Sequence, residues 1–278
     1  MIWTQAASSL IRLTACSNVP KRIVIHAGFH KTGTTSIQKT LRENRQLLRN
    51  DIRVVSRDGM VGLCEAARAY SISKSAWDLG MVLFETAETL QKFPNFGGTL
   101  LLTSEDLSGH MPGRRGLVSY AAAPKILSAI YEAAAEVFPE AEVSFFFGTR
   151  AEKTWLNSCY VQHLRATRIT QSAQDYANSH KASAQLNKVV ESVRQSVPHA
   201  VVVSSALEDS TTQKLGPLSP LLDHLTVPQS IRDQFEILPA ANVAPPQAKI
   251  DKLLELNRSA LSDSDLKTAK RALNQQVF

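Results

Sequence analysis

The stretch "RIVIHAGFHKTGTTSIQKTL", residues 22–41, decides the fold. Its apolar, β-branched run Ile23-Val24-Ile25 reads as a buried strand, and the segment after it begins at Gly28 and closes at Gly33. Beyond Gly33, Ile37, Leu41 and Leu48 recur at helical spacing, which predicts a helix over 34–48. A strand turning through glycines into a helix aims backbone N–H groups and the positive helix end at one point. That point is an anion site. Gly28 and Gly33 allow backbone angles and close approach that a side chain would obstruct, and Thr34, Thr35 and Ser36 add hydroxyls at the helix start.

The lysine is in an unusual place. A loop built for a nucleoside triphosphate carries Lys directly after its second glycine, and the Ser/Thr that follows holds magnesium. Here Thr34 and Thr35 occupy those positions, and Lys31 lies two residues before Gly33, inside the loop. Its ammonium would approach a ligand from the crest.

Working outward, strand-like runs alternate with helical patterns, as a parallel α/β sheet requires. After a short strand at 51–56 and a mainly helical stretch at 61–92, the cluster Pro94-Asn95-Phe96-Gly97-Gly98 breaks the chain. "TLLLT" at 99–103 is the next buried strand, followed by Ser104-Glu105-Asp106, a Gly/Pro-rich loop near 111–113 and a helix over 117–138. "EVSFFFG" at 142–148 is a strong strand leading into Thr149-Arg150. Helices are expected at 152–165 and 172–196, with a strand "AVVVS" at 200–204. Prolines at 217, 220, 228, 239, 245 and 246 then cut the chain into short pieces. A helical hairpin near 246–259 and 262–276 ends it, with Ser262 and Asp263 as caps for its second helix.

The 278 residues suit an N-terminal extension (1–20) and one large α/β domain (21–278) whose last part, from about 206, is helical. Hydrophobic residues, at 44%, suffice for a sizeable core. A formal charge of +6 suits an anionic ligand but is too scattered to indicate nucleic acid. No apolar stretch approaches the roughly 18 residues of a membrane span. Cys16, Cys64 and Cys159 are odd in number and lack metal-ligand spacing, which points to a reducing, cytoplasmic setting. Leu13-Thr14-Ala15-Cys16 has the form of a lipoprotein cleavage box, but it lacks a basic start and Arg12 interrupts the apolar segment.

"HAGFHKTGTTSIQ" (26–38) resembles the 5′-phosphosulfate loop of sulfotransferases that use 3′-phosphoadenosine 5′-phosphosulfate (PAPS), bacterial and Golgi-type carbohydrate enzymes above all. Their loops place lysine two positions before glycine, as at Lys31-Thr32-Gly33-Thr34-Thr35. The resemblance implies a three-layer α/β/α, P-loop-related fold, PAPS as co-substrate and no metal. It assigns cofactor binding to Gly28, His30, Lys31, Thr32, Gly33, Thr34, Thr35 and Ser36. The family also grips the 3′-phosphate with an arginine leaving a strand and a serine on the next helix; Arg150 and Ser158 match that pattern. Arginine suits the role because its planar fork bonds two phosphate oxygens at once. Two departures stand beside the match. Ala151-Glu152 follow the arginine where many relatives have proline, and the C-terminal Arg-Lys-Gly motif of cytosolic members is absent.

The implied reaction moves a sulfuryl group to a hydroxyl or amine of a glycan, lipid or small molecule and leaves adenosine 3′,5′-bisphosphate. Lys31 would stabilise the departing phosphate. Glu105, just past the TLLLT strand where ligands of open α/β sheets gather, is the first choice of general base. His30 and His110 are the alternatives, His26 is expected in the core, and His163 is open. Two other readings remain: a P-loop kinase or NTPase with Asp106 on magnesium, and a non-catalytic nucleotide-binding descendant.

Overall fold

The computed structural model describes residues 18–238 and 245–275. The expected cleavage box and Pro239 therefore lie outside the described residues, whereas Asn18 already hydrogen-bonds Asn95 and Pro20 is buried.

Five parallel strands form one sheet in the order β2-β3-β1-β4-β5: β1 Arg22–His26, β2 Ile52–Ser56, β3 Thr99–Thr103, β4 Glu142–Thr149 and β5 Val201–Ala206. The apolar runs fall in the middle. Every residue of β3 is buried, as are seven of the eight in β4, whereas edge strand β2 buries only Ile52 and Val55.

Helices α1 (Thr34–Glu43) and α2 (Arg45–Leu48) link β1 to β2 in one direction along the sheet. The remaining crossovers all step the other way, through α3 (Val61–Ser73) and α4 (Ala76–Leu90), then α5 (Ala123–Val137), then α6 (Glu152–Ala166), α7 (Ala173–His180) and α8 (Leu186–Ser196). Right-handed crossovers of opposite direction must lie on opposite faces. The core divides accordingly. Val24, Leu101 and Phe146 pack with Ile37, Leu41 and helix α9 (Leu218–His224), while Ile23, Ile25, Phe145 and Phe147 pack with α3, α4, α5 and α8. The reversal at β1 leaves a crevice beyond the C-terminal ends of β3, β1 and β4. After a short turn, α10 (Gln229–Arg232), the hairpin α11 (Gln247–Arg258) and α12 (Asp263–Gln275) closes the chain, with α11 packed on α6. The Ser262 hydroxyl caps α12 by accepting from the Asp265 N–H.

Three expected helices come out shorter. The one over 34–48 breaks at Asn44, whose amide donates to Thr40 O and Glu236 O and accepts the Glu236 N–H. That over 117–138 starts only at Ala123, because the preceding residues form a turn with left-handed Gly113, Arg115 and Gly116. The stretch 172–196 is interrupted at Lys181–Ala184, where buried Ser183 bonds the His180 carbonyl. Among the described residues no helix is long and apolar enough to cross a membrane, and Cys64 and Cys159 are buried free thiols.

Candidate active site

Strand β1 delivers the glycine loop to the crevice. The backbone is left-handed at Gly28 (φ 45°), Lys31 (φ 69°) and Gly33 (φ 96°). For lysine that conformation costs about 1–2 kcal/mol, so the surroundings must impose it. The surroundings are the donors that hold the loop's carbonyls. Ser108 Oγ donates to Ala27 O (3.3 Å) and Gly28 O (2.8 Å), and Thr32 Oγ1 to Phe29 O (2.7 Å). Trp155 Nε1 donates to His30 O (2.9 Å), and Arg150 to Lys31 O (3.1 Å). Five consecutive carbonyls are thus tied to the protein. In a trans peptide the N–H points opposite to the C=O, so these bonds turn the crest N–H groups away from their holders. At the start of α1 the Ser36 N–H is bonded to Gly33 O (2.9 Å), the Thr34 and Thr35 N–H groups have no backbone partner among the described residues, and Gly33 supplies no side-chain cap.

Lys31, Gly33, Thr34, Thr35 and Ser36 line a cavity of about 470 Å³ together with His30, Glu105, Met111, Arg114, Arg150, Ser158, Gln162, Leu207 and Pro217. Leu207 and Pro217 press so close that a Cβ on Gly33 would meet them at 3.1 and 3.0 Å. Of the loop residues expected to bind, Gly28 and Thr32 sit behind this wall, and the Thr32 hydroxyl is spent on Phe29 O. Both can act only through the backbone. His110 does not line the cavity either; its N–H is bonded to Ser71 Oγ.

Arg150 leaves the end of β4 as the sequence suggests. Its Nε donates to Thr154 Oγ1 (3.2 Å) one turn into α6, and Thr154 in turn donates to Glu208 (2.9 Å). Both carboxylate oxygens of Glu208 accept the Ala151 N–H at 3.2 Å, which caps α6. Ser158 lines the same cavity two turns along α6. The two motifs, 119 residues apart in sequence, therefore meet in one hydrogen bond between Arg150 and Lys31. Burial, reinforced by the positive charges of Arg165, Arg150 and Arg114, holds the Lys31 ammonium below the usual lysine pKa.

On the other side of β1, Glu105 opens a 3₁₀ turn (Glu105–Ser108) after β3. Burial raises its pKa above the ordinary glutamate value, and a hydrogen bond from Gln38 Nε2 (3.2 Å) partly opposes that. Asp106 is turned away, paired with Arg57 (3.0 Å) and Arg68 (3.6 Å). His30 is held at both ends. The Tyr120 hydroxyl accepts the His30 backbone N–H (3.1 Å) and lies 2.9 Å from Nδ1. In the tautomer in which that hydroxyl donates to Nδ1, the ring proton falls on Nε2, 3.9 Å from Asp106. Burial, with Arg114 nearby, pushes the His30 pKa down to about 3. The contacts to Tyr120 fix the orientation of His30, whose ring lines the cavity. His26 is buried beneath the loop against Thr103 (2.8 Å), and buried His163 bonds Tyr176 (2.8 Å).

Tyr120, Trp155, Glu208, Gln38, Leu207 and Pro217 serve this site without a local signature in the sequence. Only Glu208, two residues past the end of β5, stands where a strand-end rule would look.

No protein-family model matches the chain, and no curated protein matches it. Among solved structures it is similar to a sulfotransferase from Alicyclobacillus acidocaldarius, with a TM-score of 0.44 and 12% identity over 91% of this chain and 93% of that one.

Proposed function

We propose that the protein is a sulfotransferase that moves a sulfuryl group from PAPS to a hydroxyl or amine. The observation that carries this reading is the Arg150–Lys31 contact, which joins the lysine-bearing loop and the strand-end arginine on one cavity. A volume of about 470 Å³ falls in the range of small-molecule sites, and the two motif cations, Lys31 and Arg150, line it beside the carboxylate of Glu105. That excess of positive charge suits a polyanionic nucleotide. The close approach of Leu207 and Pro217 to Gly33 offers an apolar edge to the base.

In this reading Arg150 and Ser158 hold the 3′-phosphate, and the helix-start N–H groups with Thr35 and Ser36 hold the 5′-phosphate. Glu105 accepts the proton of the attacking hydroxyl as its oxygen bonds to sulfur. The bond between sulfur and the bridging oxygen breaks, and Lys31 stabilises the negative charge left on the 5′-phosphate. A depressed lysine pKa reflects a partly desolvated ammonium, which interacts more strongly with charge developing beside it.

Asp106 weighs against the kinase reading, since the carboxylate proposed for magnesium is committed to Arg57 and Arg68 and does not line the cavity.

Calorimetric titration with adenosine 3′,5′-bisphosphate tests the proposal. Binding is expected without magnesium, weakened about 10- to 100-fold by Arg150→Ala, as loss of a charge-assisted contact predicts. Intact protein that ignores the bisphosphate, or binds ATP equally well with magnesium, overturns it.

A further inference from the structure

Arg114 lines the cavity with no part in the scheme above. It is half-buried, and among the described residues no carboxylate or carbonyl pairs with its guanidinium. Its charged neighbours in the cavity wall are Lys31, Arg150 and Glu105, and its own charge depresses the pKa values of His30, His110 and Lys31. A half-buried cation without an ion-pair partner gains from an anion that reaches it.

The backbone that presents Arg114 is specialised. Gly113 (φ 86°), Arg115 (φ 53°) and Gly116 (φ 75°) all lie in the left-handed region, and the turn is closed by Gly113 N–H to Leu117 O (2.7 Å) and Leu117 N–H to Arg114 O (2.9 Å). The turn is also seated: a Cβ on Gly113 would come within 2.4 Å of the buried His163 ring. A left-handed non-glycine residue beside an unpaired arginine is the kind of strain that persists where a side chain must be aimed.

The connection from β3 to α5 carries both Glu105 and Arg114, and both line the one cavity, the Arg114 turn reaching across to rest on His163 of α6. Arg150, Ser158, Lys31 and the helix start already answer the phosphates of the nucleotide. We infer that Arg114 is a specificity-determining residue that recognises an oxyanion, such as a carboxylate, on the acceptor beside the hydroxyl that Glu105 deprotonates. The inference rests on the sulfuryl-transfer reading and narrows its acceptor to an anionic class. A guanidinium fork fits such a group in two parallel hydrogen bonds.

The test uses the full chain loaded with adenosine 3′,5′-bisphosphate and two matched probes, 4-nitrophenyl β-glucuronide and 4-nitrophenyl β-glucoside. They differ only in a carboxylate against a hydroxymethyl group. Ligand-observed NMR titration should show the glucuronide binding at least about tenfold tighter, the scale of one charge-assisted contact. Arg114→Gln should reduce that preference to within about twofold with bisphosphate affinity and melting temperature unchanged, and Arg114→Lys should restore part of it. Equal binding of the two glycosides, no binding of the glucuronide, or a preference that survives Arg114→Gln overturns the inference. So does an Arg114→Gln protein that loses affinity for PAPS but not for the bisphosphate, because the arginine then reads the donor's sulfonate. Failure of the intact protein to bind the bisphosphate instead overturns the sulfotransferase reading itself, in a separate arm.

Discussion

The ends of β4 and β3 stand on either side of the glycine loop and are built in opposite ways. At β4, Arg150 is bound by Thr154 and by the Lys31 carbonyl, and Glu208 fixes both Thr154 and the start of α6. Arg150, Thr154 and Glu208 thus each have a protein partner before a ligand arrives, which is preorganisation for a fixed binding partner. At β3, Glu105 has one side-chain partner, Gln38, and its pKa is raised chiefly by burial. That end is tuned rather than clamped. In the proposed reaction the clamped β4 side would hold the donor and the tuned β3 side would carry the chemistry.

The largest effect should come from breaking the tuned end. Glu105→Gln keeps the shape but removes the carboxylate proposed as the base. Turnover should fall about 10²- to 10⁴-fold, with affinity for adenosine 3′,5′-bisphosphate unchanged. A variant that retains most of its rate would move the base elsewhere. Lys31→Ala sits between the two ends and should cost about 10²- to 10³-fold in turnover, the scale of a lost oxyanion donor, with a smaller loss of bisphosphate affinity. Equal losses in both would make Lys31 a binding group only. Steady-state kinetics paired with calorimetry separates these outcomes.

The same contrast explains what could be read from the sequence. Strands β1, β3 and β4 were legible because strands buried on both faces must be continuously apolar, and their bounds follow the runs RIVIH, TLLLT and EVSFFFGT. Lys31 and Glu105 stand at a glycine turn and a strand end, where ligands gather, Arg150 and Ser158 were singled out by the family resemblance, and all four line one cavity. The parts that hold them were not. Trp155 reaches back 125 residues to His30 O, Tyr120 reaches 90, and Glu208 caps a helix that starts 56 residues before it. No local pattern encodes such partners. The break at Asn44 has the same origin, since its amide is satisfied by Glu236, 192 residues away. Thr32, within the same motif, has its hydroxyl bonded to Phe29 O, a contact that the motif alone does not reveal.

The smallest expected effect gives the finest test of tuning at β3. Only the ionised form of Glu105 can take a proton, so activity should fall as pH drops through its pKa. Burial raises that pKa, which places the acid limb of the kcat/KM profile above the ordinary glutamate range. The Gln38 amide stabilises the ionised carboxylate and pulls the limb down. Gln38→Leu removes that donor, so the limb should move to higher pH while the plateau rate stays within about threefold, the scale of one modest hydrogen bond. Arg150→Lys, on the clamped side, should weaken donor binding and leave the limb in place. If the limb stays fixed in Gln38→Leu, the titrating group is not Glu105. If it moves in both variants, the two strand ends are coupled through the loop that Arg150 holds.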